Sequence, residues 1–248
     1  MQRLVALIEQ FRPKFSDTIR AAEPEAVEAL AELAGPLPGA YVRFLHTMGA
    51  DMGELALADA DFRIEEQVGA YCASPWMRHP RFLQIAQDYS PASWDYYLDR
   101  DAPSGADDCR VVQMPLGKKF LATDQQWPLY AGLEEMLYVQ AFRTLRLPLL
   151  AHAAEFMRTS TASGESEAVR AIAESFGFVR VAPEFRSALY ERGDAAIVLY
   201  QHPVEANFSF RLACEDAGEL ARLSTSFIEQ TGVIASPFAQ QPIDAQDD

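Results

Sequence analysis

Cysteine and histidine are scarce in this chain of 248 residues, which holds three of the first and four of the second. Cys72, Cys109 and Cys214 are too widely spaced for a zinc site or a disulfide framework, so reduced thiols in a cytoplasmic protein are predicted. The histidines also lie far apart, and no two of them are spaced as a metal-binding pair on a helix. The cysteines and histidines therefore predict no metal site.

Catalytic motifs are missing as well. The chain has no glycine-rich phosphate loop, no Gly-x-Ser-x-Gly elbow and no Cys/His signature of a protease or deaminase. An enzyme that uses carboxylates for acid–base chemistry would lack a supporting His, Cys or Ser arrangement. We therefore predict a protein that is not an enzyme and has no cofactor.

Long hydrophobic runs are absent too, and the longest apolar stretches are far too short to cross a bilayer. Residues 1–15 carry Glu9 inside their apolar stretch and lack a small-residue cleavage site. This pattern predicts an amphipathic helix rather than a signal peptide. No contact with a membrane and a cytoplasmic location are expected.

Basic residues are outnumbered, with 21 lysines and arginines against 36 acidic residues and a net charge of −15. The excess extends along the chain, because residues 1–150 hold 21 acids and 14 bases and residues 151–248 hold 15 acids and 7 bases. Such a field repels nucleic acids and attracts basic surfaces. The charge predicts a basic protein partner and no nucleic-acid binding.

Two helices are predicted between Glu23 and Ala50, at residues 24–34 and 39–48. Pro24 can occupy the first turn of the first helix, where its missing N–H costs nothing. Gly49 is placed to end the second helix in a left-handed conformation. The predicted core faces of the two helices consist of Val27, Leu30, Ala34, Tyr41, Phe44, Leu45 and Met48.

Strand-like segments follow these helices. They lie at residues 63–66, 83–86, 96–98, 111–114 and 120–122. A long helix is then predicted from Trp127 to Met157, with an interruption at Pro148. Helices on both sides of a run of antiparallel strands favour an α+β fold over a doubly wound sheet. We assign residues 1–157 to this first domain.

A second, smaller α+β domain is predicted at residues 168–236, after a linker at 158–167 that is rich in Ser and Thr. Its expected elements are a helix at 167–176, strands at 178–181, 188–191, 195–200 and 207–212, and a helix at 215–230. Gly193-Asp194 fits a hairpin turn between the second and third strands. Residues 237–248 are predicted to form a disordered tail.

Two segments of the first domain carry motifs that can be compared with known families. The first is a helix with acid-x-x-hydrophobic spacing from Glu25 to Leu33, then Leu37-Pro38, Tyr41-x-x-Phe44-Leu45 and a glycine stop. The second is an apolar strand, Phe82–Asp88, followed by an aromatic strand, Trp94–Asp99. Over roughly residues 20–150 this arrangement resembles the SUKH superfamily. That family usually has Asn-Gly-Gly after its second helix, where this chain has Met48-Gly49-Ala50.

The resemblance implies an antiparallel sheet flanked by helices and a role in binding proteins. The SUKH superfamily includes fungal cell-wall-assembly regulators and bacterial immunity proteins that neutralise toxins. The first hypothesis is therefore an immunity protein against a polymorphic toxin. A nuclease toxin would be basic and would associate quickly with an acidic inhibitor. The alternative is a cytoplasmic regulatory or scaffold protein that binds an endogenous partner.

A cluster of acidic residues falls within the predicted hairpin. Strand alternation places Asp95, Tyr97 and Asp99 on one face, predicted to be exposed, and puts Trp94, Tyr96 and Leu98 on the other face, toward the core. Tyr97 is a candidate anchor for a partner because tyrosine is favoured at interfaces. The candidate partner-binding residues are Asp95, Tyr97, Asp99, Asp101, Asp107 and Asp108.

Three interpretations of that cluster stay open. The carboxylates fit a polar strand end and loop, an acidic patch for a basic partner, or a divalent-cation site that lacks the usual Asp-x-Asp-x-Asp-Gly spacing. A second acidic stretch contains Arg63 as its single basic residue. It can likewise be interpreted as a solvated surface or as a binding surface. It consists of Asp51, Glu54, Asp59, Asp61, Glu65 and Glu66.

Overall fold

A computed structural model describes residues 1–55, 57, 59–91, 93–115, 123–158 and 165–236. The chain divides into two compact units, Met1–Leu145 and Arg146–Asp248. This division lies earlier than the linker predicted at 158–167, because a strand at His152–Arg158 belongs to the sheet of the second unit. The predicted tail at 237–248 lies outside the described residues.

The first unit contains one antiparallel sheet and five described α-helices. The helices are α1 (Gln2–Glu9), α2 (Pro24–Ala34), α3 (Gly39–Met48), α4 (Ile64–Ala73) and α5 (Leu133–Ala141). The strands are β1 (Ala60–Asp61), β2 (Phe82–Asp88), β3 (Trp94–Ser104), β4 (Asp108–Pro115) and β5 (Trp127–Tyr130). They pair in chain order, so β1 and β5 form the edges and β3 the centre. The predicted α+β class with an antiparallel sheet is confirmed.

Helices α2 and α3 match the sequence prediction in their bounds and in most of their buried face. Pro24 opens α2, and the rings of Tyr41 and Phe44 stack at 5.9 Å in the core. The left-handed C-cap predicted at Gly49 is wrong, since its φ is −72°. Glycine is required there for space instead, because a Cβ would lie 2.6 Å from the Cα of Leu45.

Two other predictions for the first domain are wrong. Residues 64–66 open helix α4 rather than a strand, with buried Ile64, Gln67 and Tyr71 at helical spacing. The helix expected from Trp127 to Met157 is shorter, because Trp127–Tyr130 forms an edge strand, where Pro128 costs no ladder hydrogen bond. Helix α5 ends at Ala141 and is followed by a π-helical turn and a 3₁₀ turn. The strand expected at 120–122 lies outside the described residues.

The second unit packs two helices on a six-stranded antiparallel sheet. The helices are α6 (Glu165–Ser175) and α7 (Ala217–Thr231). The strands are β6 (His152–Arg158), β7 (Val179–Arg180), β8 (Ala188–Arg192), β9 (Ala195–Gln201), β10 (Phe208–Cys214) and β11 (Ile234–Ala235). The sheet order is β11-β6-β10-β9-β8-β7. Strands β6 and β11 were not predicted.

The core of the second unit is built around aromatic rings from the sheet and α7. Phe156 and Phe210 stack at 4.7 Å, and Phe227 packs on Phe210 at 5.0 Å. Helix α7 begins where the side chain of Asp216 accepts a hydrogen bond from the N–H of Glu219, at 2.8 Å. It ends at Thr231, and Gly232 follows as a left-handed C-cap with a φ of +66°. Within the described ranges, no helix is both long and apolar enough to span a bilayer.

Candidate functional site

The face of β3 that carries Asp95, Tyr97 and Asp99 is covered, so the prediction that it is exposed is wrong. The three side chains do share a face, as strand alternation predicted. Tyr97 lies in a buried cluster with Phe82, Val112 and Met114, against which Trp76 packs. The Tyr97 side chain has no exposed surface. Tyr97 therefore cannot anchor a partner.

Asp95 is a buried carboxylate with two hydrogen-bond donors. The Gln84 side-chain amide donates to its Oδ2 at 2.7 Å, and the Asp88 N–H donates to its Oδ1 at 2.9 Å. Burial raises the pKa of Asp95 to about 6, although these two hydrogen bonds oppose the increase. The Oε1 atom of Gln84 is also buried and has no hydrogen-bond partner in the described part of the chain. Asp95 thus belongs to the interior of the sheet rather than to a binding surface.

Replacing Asp95 by Asn is expected to change how stability depends on pH. An unfolded aspartate has a pKa of about 3.9, so between about pH 4 and 6 the folded protein binds more protons at Asp95 than the unfolded protein does. This group's contribution to stability is present at low pH and is lost as the pH rises to about 6. Asp95→Asn removes this pH-dependent loss of stability. The new amide can also donate a hydrogen bond to the Gln84 Oε1 atom that lacks a partner.

The measurement is urea unfolding of the wild type and the Asp95→Asn variant at several pH values. The free energy of unfolding of the variant should rise relative to that of the wild type between about pH 4 and 6. Other titrating groups cancel in this difference. A difference that is constant over the whole range would show that Asp95 titrates normally in the folded protein.

Asp99 is held in a buried ion pair. Its carboxylate has no exposed surface and accepts hydrogen bonds from Nε and Nη2 of Arg81, each at 2.7 Å. The Arg81 guanidinium also lies 4.6 Å from the centre of the Phe82 ring. Arg81 neutralises Asp99 at the edge of the buried aromatic cluster, so this carboxylate is also unavailable to a partner.

Asp107 precedes β4 and Asp108 is its first residue, and both bind residues of neighbouring helices. Asp107 pairs with Arg43 of α3, which also contacts Glu134 at 2.9 Å. The hydrogen bond from Arg43 holds the pKa of Asp107 below its usual range. Asp108 accepts the N–H groups of Leu133 and Glu134, both at 3.0 Å, and so caps the start of α5. The roles of Asp107 and Asp108 in this structure are contacts within the unit.

Asp101 alone among the six predicted residues exposes most of its side chain, and it lies 3.8 Å from Nε of Arg81. The structure therefore does not bring the six residues together as an acidic patch. A cation site is not formed either: the described residues contain no group of three or more His, Cys, Asp or Glu side chains that could hold a metal ion.

The second acidic stretch instead surrounds the free edge of the sheet. Asp59 and Asp61 flank Ala60 on edge strand β1, and Glu66 lies in the first turn of α4. Tyr89 follows β2, where its N–H donates to the carbonyl of Asp59 at 2.8 Å. We call this region the β1 edge surface, formed by Asp59, Ala60, Asp61, Glu66 and Tyr89.

Tyr89 is the most exposed large aromatic residue in the described part of the first unit, with 63% of its surface accessible. Partial desolvation of its hydroxyl, followed by the negative charges of Glu66 and Asp61, raises the pKa of its phenol, and the charge of Arg63 opposes the increase. The ring is therefore surrounded by negative potential while remaining accessible to solvent. Tyr89 was not among the candidate residues predicted from the sequence, although an aromatic residue immediately after a strand and before Ser90-Pro91 was a usable signal.

Two hollows flank β1. One, of about 290 Å³, is lined by Asp51, Met52, Asp59, Ala60, Asp61, Phe62, Arg63 and Tyr89. The other, of about 470 Å³, is lined by Leu57, Asp59, Ala60, Asp88, Ser90, Trp94, Tyr96 and Gln113. Both contain Asp59, whose exposed carboxylate makes no hydrogen bond or ion pair with the residues described. Carboxylates beside aromatic walls suit a lysine or arginine side chain.

The other carboxylates around these hollows are already engaged. Asp61 pairs with Arg63, and this hydrogen bond keeps the pKa of Asp61 low. Asp88 accepts hydrogen bonds from Ser90 and Trp94, which fix the turn between β2 and β3. Burial, the neighbouring Tyr130, and the charges of Asp88 and Asp59 raise the pKa of Tyr96 to about 12. The negative potential therefore extends into the larger hollow, where Asp59 is the carboxylate left for a ligand.

Comparisons with known proteins add no relative to this picture. Neither the protein-family models, nor the curated proteins, nor the solved structures give a match to this chain.

Proposed function

We propose that this chain is a non-catalytic protein that binds a basic protein partner through the β1 edge surface. The observation that carries the proposal is the exposed ring of Tyr89, which lies among Asp59, Asp61 and Glu66 and lines the smaller of the two hollows. Tyrosine is enriched among the residues that dominate binding energy at protein interfaces. The carboxylates around it would pair with lysine or arginine side chains of the partner.

The charge of the whole chain supports the same proposal. A net charge of −15 attracts a basic protein over distances longer than those of direct contacts and raises the rate of encounter. Exposed charges at the edge of an interface act mainly on association, whereas a buried aromatic anchor acts mainly on dissociation. The two kinds of residue on this surface therefore have separable effects.

The resemblance of residues 20–150 to the SUKH superfamily directs the choice of partner. On that resemblance, we propose that the partner is a basic toxin domain, for which a nuclease is the natural candidate, and that the chain neutralises it in the cytoplasm. A scaffold role with an endogenous basic protein would use the same surface.

Growth of cells that coexpress the chain with each of a panel of toxin nuclease domains identifies the partner. Rescue of growth that persists after removal of the β1 edge surface would contradict the assigned surface.

Glu65 is the exposed neighbour of Glu66 in the first turn of α4. The triple variant Asp59→Asn, Glu65→Gln and Glu66→Gln is expected to slow association with that partner about tenfold and to weaken its salt dependence. It leaves the pair of Asp61 and Arg63 intact. A matched control neutralises three exposed glutamates on α2: Glu25, Glu28 and Glu32. Both variants change the net charge equally, so stopped-flow association rates at two salt concentrations separate local from general attraction. Equal slowing in both would place the contact elsewhere.

Tyr89→Ala is expected to change dissociation rather than association. A dominant interface residue costs about 2 kcal/mol or more on truncation, which corresponds to dissociation on the order of 30-fold faster. Its side chain is too exposed to contribute much to folding, so the variant should keep the wild-type unfolding curve. An unchanged dissociation rate would remove Tyr89 from the interface.

A further inference from the structure

The second unit contains a cleft of about 970 Å³ that the proposed function does not use. Its walls are helix α6, the connection between β7 and β8, and the connection between β9 and β10. Three arginines line it: Arg170 from α6, Arg180 from β7 and Arg186 from the first connection. They are three of only seven basic residues that follow residue 150, in a region with 15 acidic residues. The same lining contains four glutamates: Glu167, Glu174, Glu184 and Glu205.

The interior of the cleft is polar and positively charged. The side chain of Arg170 is only 11% exposed, and the lining residues Tyr190 and Gln201 are buried. Burial and the charge of Glu174 raise the pKa of the Tyr190 phenol, while the charges of Arg170 and Arg180 act in the opposite direction. Both guanidinium groups therefore lie close to the Tyr190 hydroxyl, and their charges converge on one region.

One carboxylate reaches the same region, since Glu174 Oε1 accepts a hydrogen bond from the Tyr190 hydroxyl at 3.4 Å. Of the three arginines, only Arg170 has a carboxylate partner among the described residues, Glu167, at 3.1 Å from its Nε. Arg180 donates to the carbonyls of Pro183 and Phe185. Arg186 donates to the carbonyls of His202 and Glu205, at 2.7 and 3.0 Å. Main-chain carbonyls fix the positions of these guanidinium groups but supply no full negative charge.

Apart from the contact of Glu174 with Tyr190, the glutamates of the cleft lie at its rim. Glu167 has 71% of its side chain exposed. Glu174, Glu184 and Glu205 are exposed as well. A negative rim around a positive interior repels a large polyanion such as a nucleic acid. It accepts a small ligand that inserts one anionic group and keeps a neutral or cationic remainder at the entrance.

We propose that this cleft binds a small molecule through one oxyanion group, a carboxylate or a phosphate, held by Arg170, Arg180 and Arg186. Guanidinium groups match both kinds of oxyanion through paired N–H donors. The like charges of the three arginines repel each other, and the oxyanion supplies the missing negative charge. This site lies within the second unit and does not depend on the β1 edge surface.

The test is NMR titration of the full-length protein with inorganic phosphate and, separately, with acetate and glycine. The Nε–Hε signals of Arg170, Arg180 and Arg186 should shift and saturate, whereas sodium chloride at equal ionic strength should not produce saturation. Stronger binding of phosphate would indicate a phosphorylated ligand. Binding of acetate or glycine with equal or greater affinity would indicate a carboxylate ligand, and a preference for glycine over acetate would reflect the acidic rim.

Matched variants decide whether the arginines carry the binding. Arg186→Gln and Arg180→Lys should each weaken the affinity about tenfold, the second because lysine keeps the charge but loses the paired donors. Arg211→Gln is the control, since Arg211 is a residue of the same unit outside the cleft. Signals that fail to saturate with any of the three probes would overturn the proposal. So would an affinity that Arg211→Gln lowers as much as the two cleft variants do.

Discussion

Replacing Phe44 by Ala is expected to lower the free energy of unfolding of the first unit by about 3–5 kcal/mol. The Phe44 ring is completely buried on α3, where it stacks on Tyr41 and meets the edge of Phe62 at 6.2 Å. Removing it forfeits the burial of the ring and leaves a cavity that these neighbours can only partly fill. This loss is a large share of the stability of an ordinary domain.

The position of the tryptophans makes this measurement specific. Trp76, Trp94 and Trp127 are the three tryptophans of the chain, and all belong to the first unit. Tryptophan fluorescence during urea unfolding therefore reports that unit alone. Tyr89→Ala removes an exposed aromatic side chain and serves as the control, with an expected change within about 0.5 kcal/mol. A loss below about 1 kcal/mol for Phe44→Ala would show that α3 is peripheral to the core.

Periodicity predicted the helices and strands best where a single face is buried. Helices α2, α3 and α7 have one apolar stripe and clear end signals, and their predicted bounds agree closely with the structure. The region from Trp127 to Met157 was mispredicted because apolar residues surround all sides of it. Helix α5 is buried on most of its surface, so its sequence has no polar face to mark where it begins and ends.

The prediction that Asp95, Tyr97 and Asp99 are exposed was wrong for a related reason. Alternation correctly placed Asp95, Tyr97 and Asp99 on one face, but it cannot say whether that face is covered by other elements. The cover here comes from residues distant in sequence, such as Trp76, and the neutralising partner of Asp99 is Arg81. Acidic residues in a central strand can be paired and buried, and a local count of carboxylates does not distinguish them from exposed ones.

Only part of the β1 edge surface could be predicted from the sequence. Its acidic residues form a recognisable stretch, but Tyr89 joins them through pairing between β1 and β2. That pairing brings Asp61 opposite Gln87 and Ala60 opposite Asp88, so the residue after β2 meets the residue before β1. Such a contact depends on strand register, which requires the fold. The same applies to the arginine cleft, whose three arginines come from a helix, a strand and a loop.

The ion pair of Arg81 and Asp99 is expected to give the second large effect on stability. Arg81→Met removes both hydrogen bonds to Asp99 but keeps an apolar stem beside Phe82. Of its hydrogen bonds to described residues, the fully buried carboxylate would then retain only the one from the N–H of Asp101, at 3.2 Å. Removing one partner of a buried pair costs about 3–5 kcal/mol. Because the Arg81 side chain is 35% exposed, solvent screens the pair and a loss near 3 kcal/mol is expected.

A second substitution separates the lost attraction from the penalty of an isolated buried charge. Asp99→Asn in the Arg81→Met background replaces the carboxylate by a neutral amide, which is far less costly to bury. The double variant should therefore be more stable than Arg81→Met alone, and fluorescence-detected urea unfolding of the four proteins gives the coupling energy between the two positions. If the single variants instead add within about 0.5 kcal/mol, the two side chains do not act as a pair. In that case the stability of this face of the sheet would come from the packing of Phe82, Tyr97 and Val112.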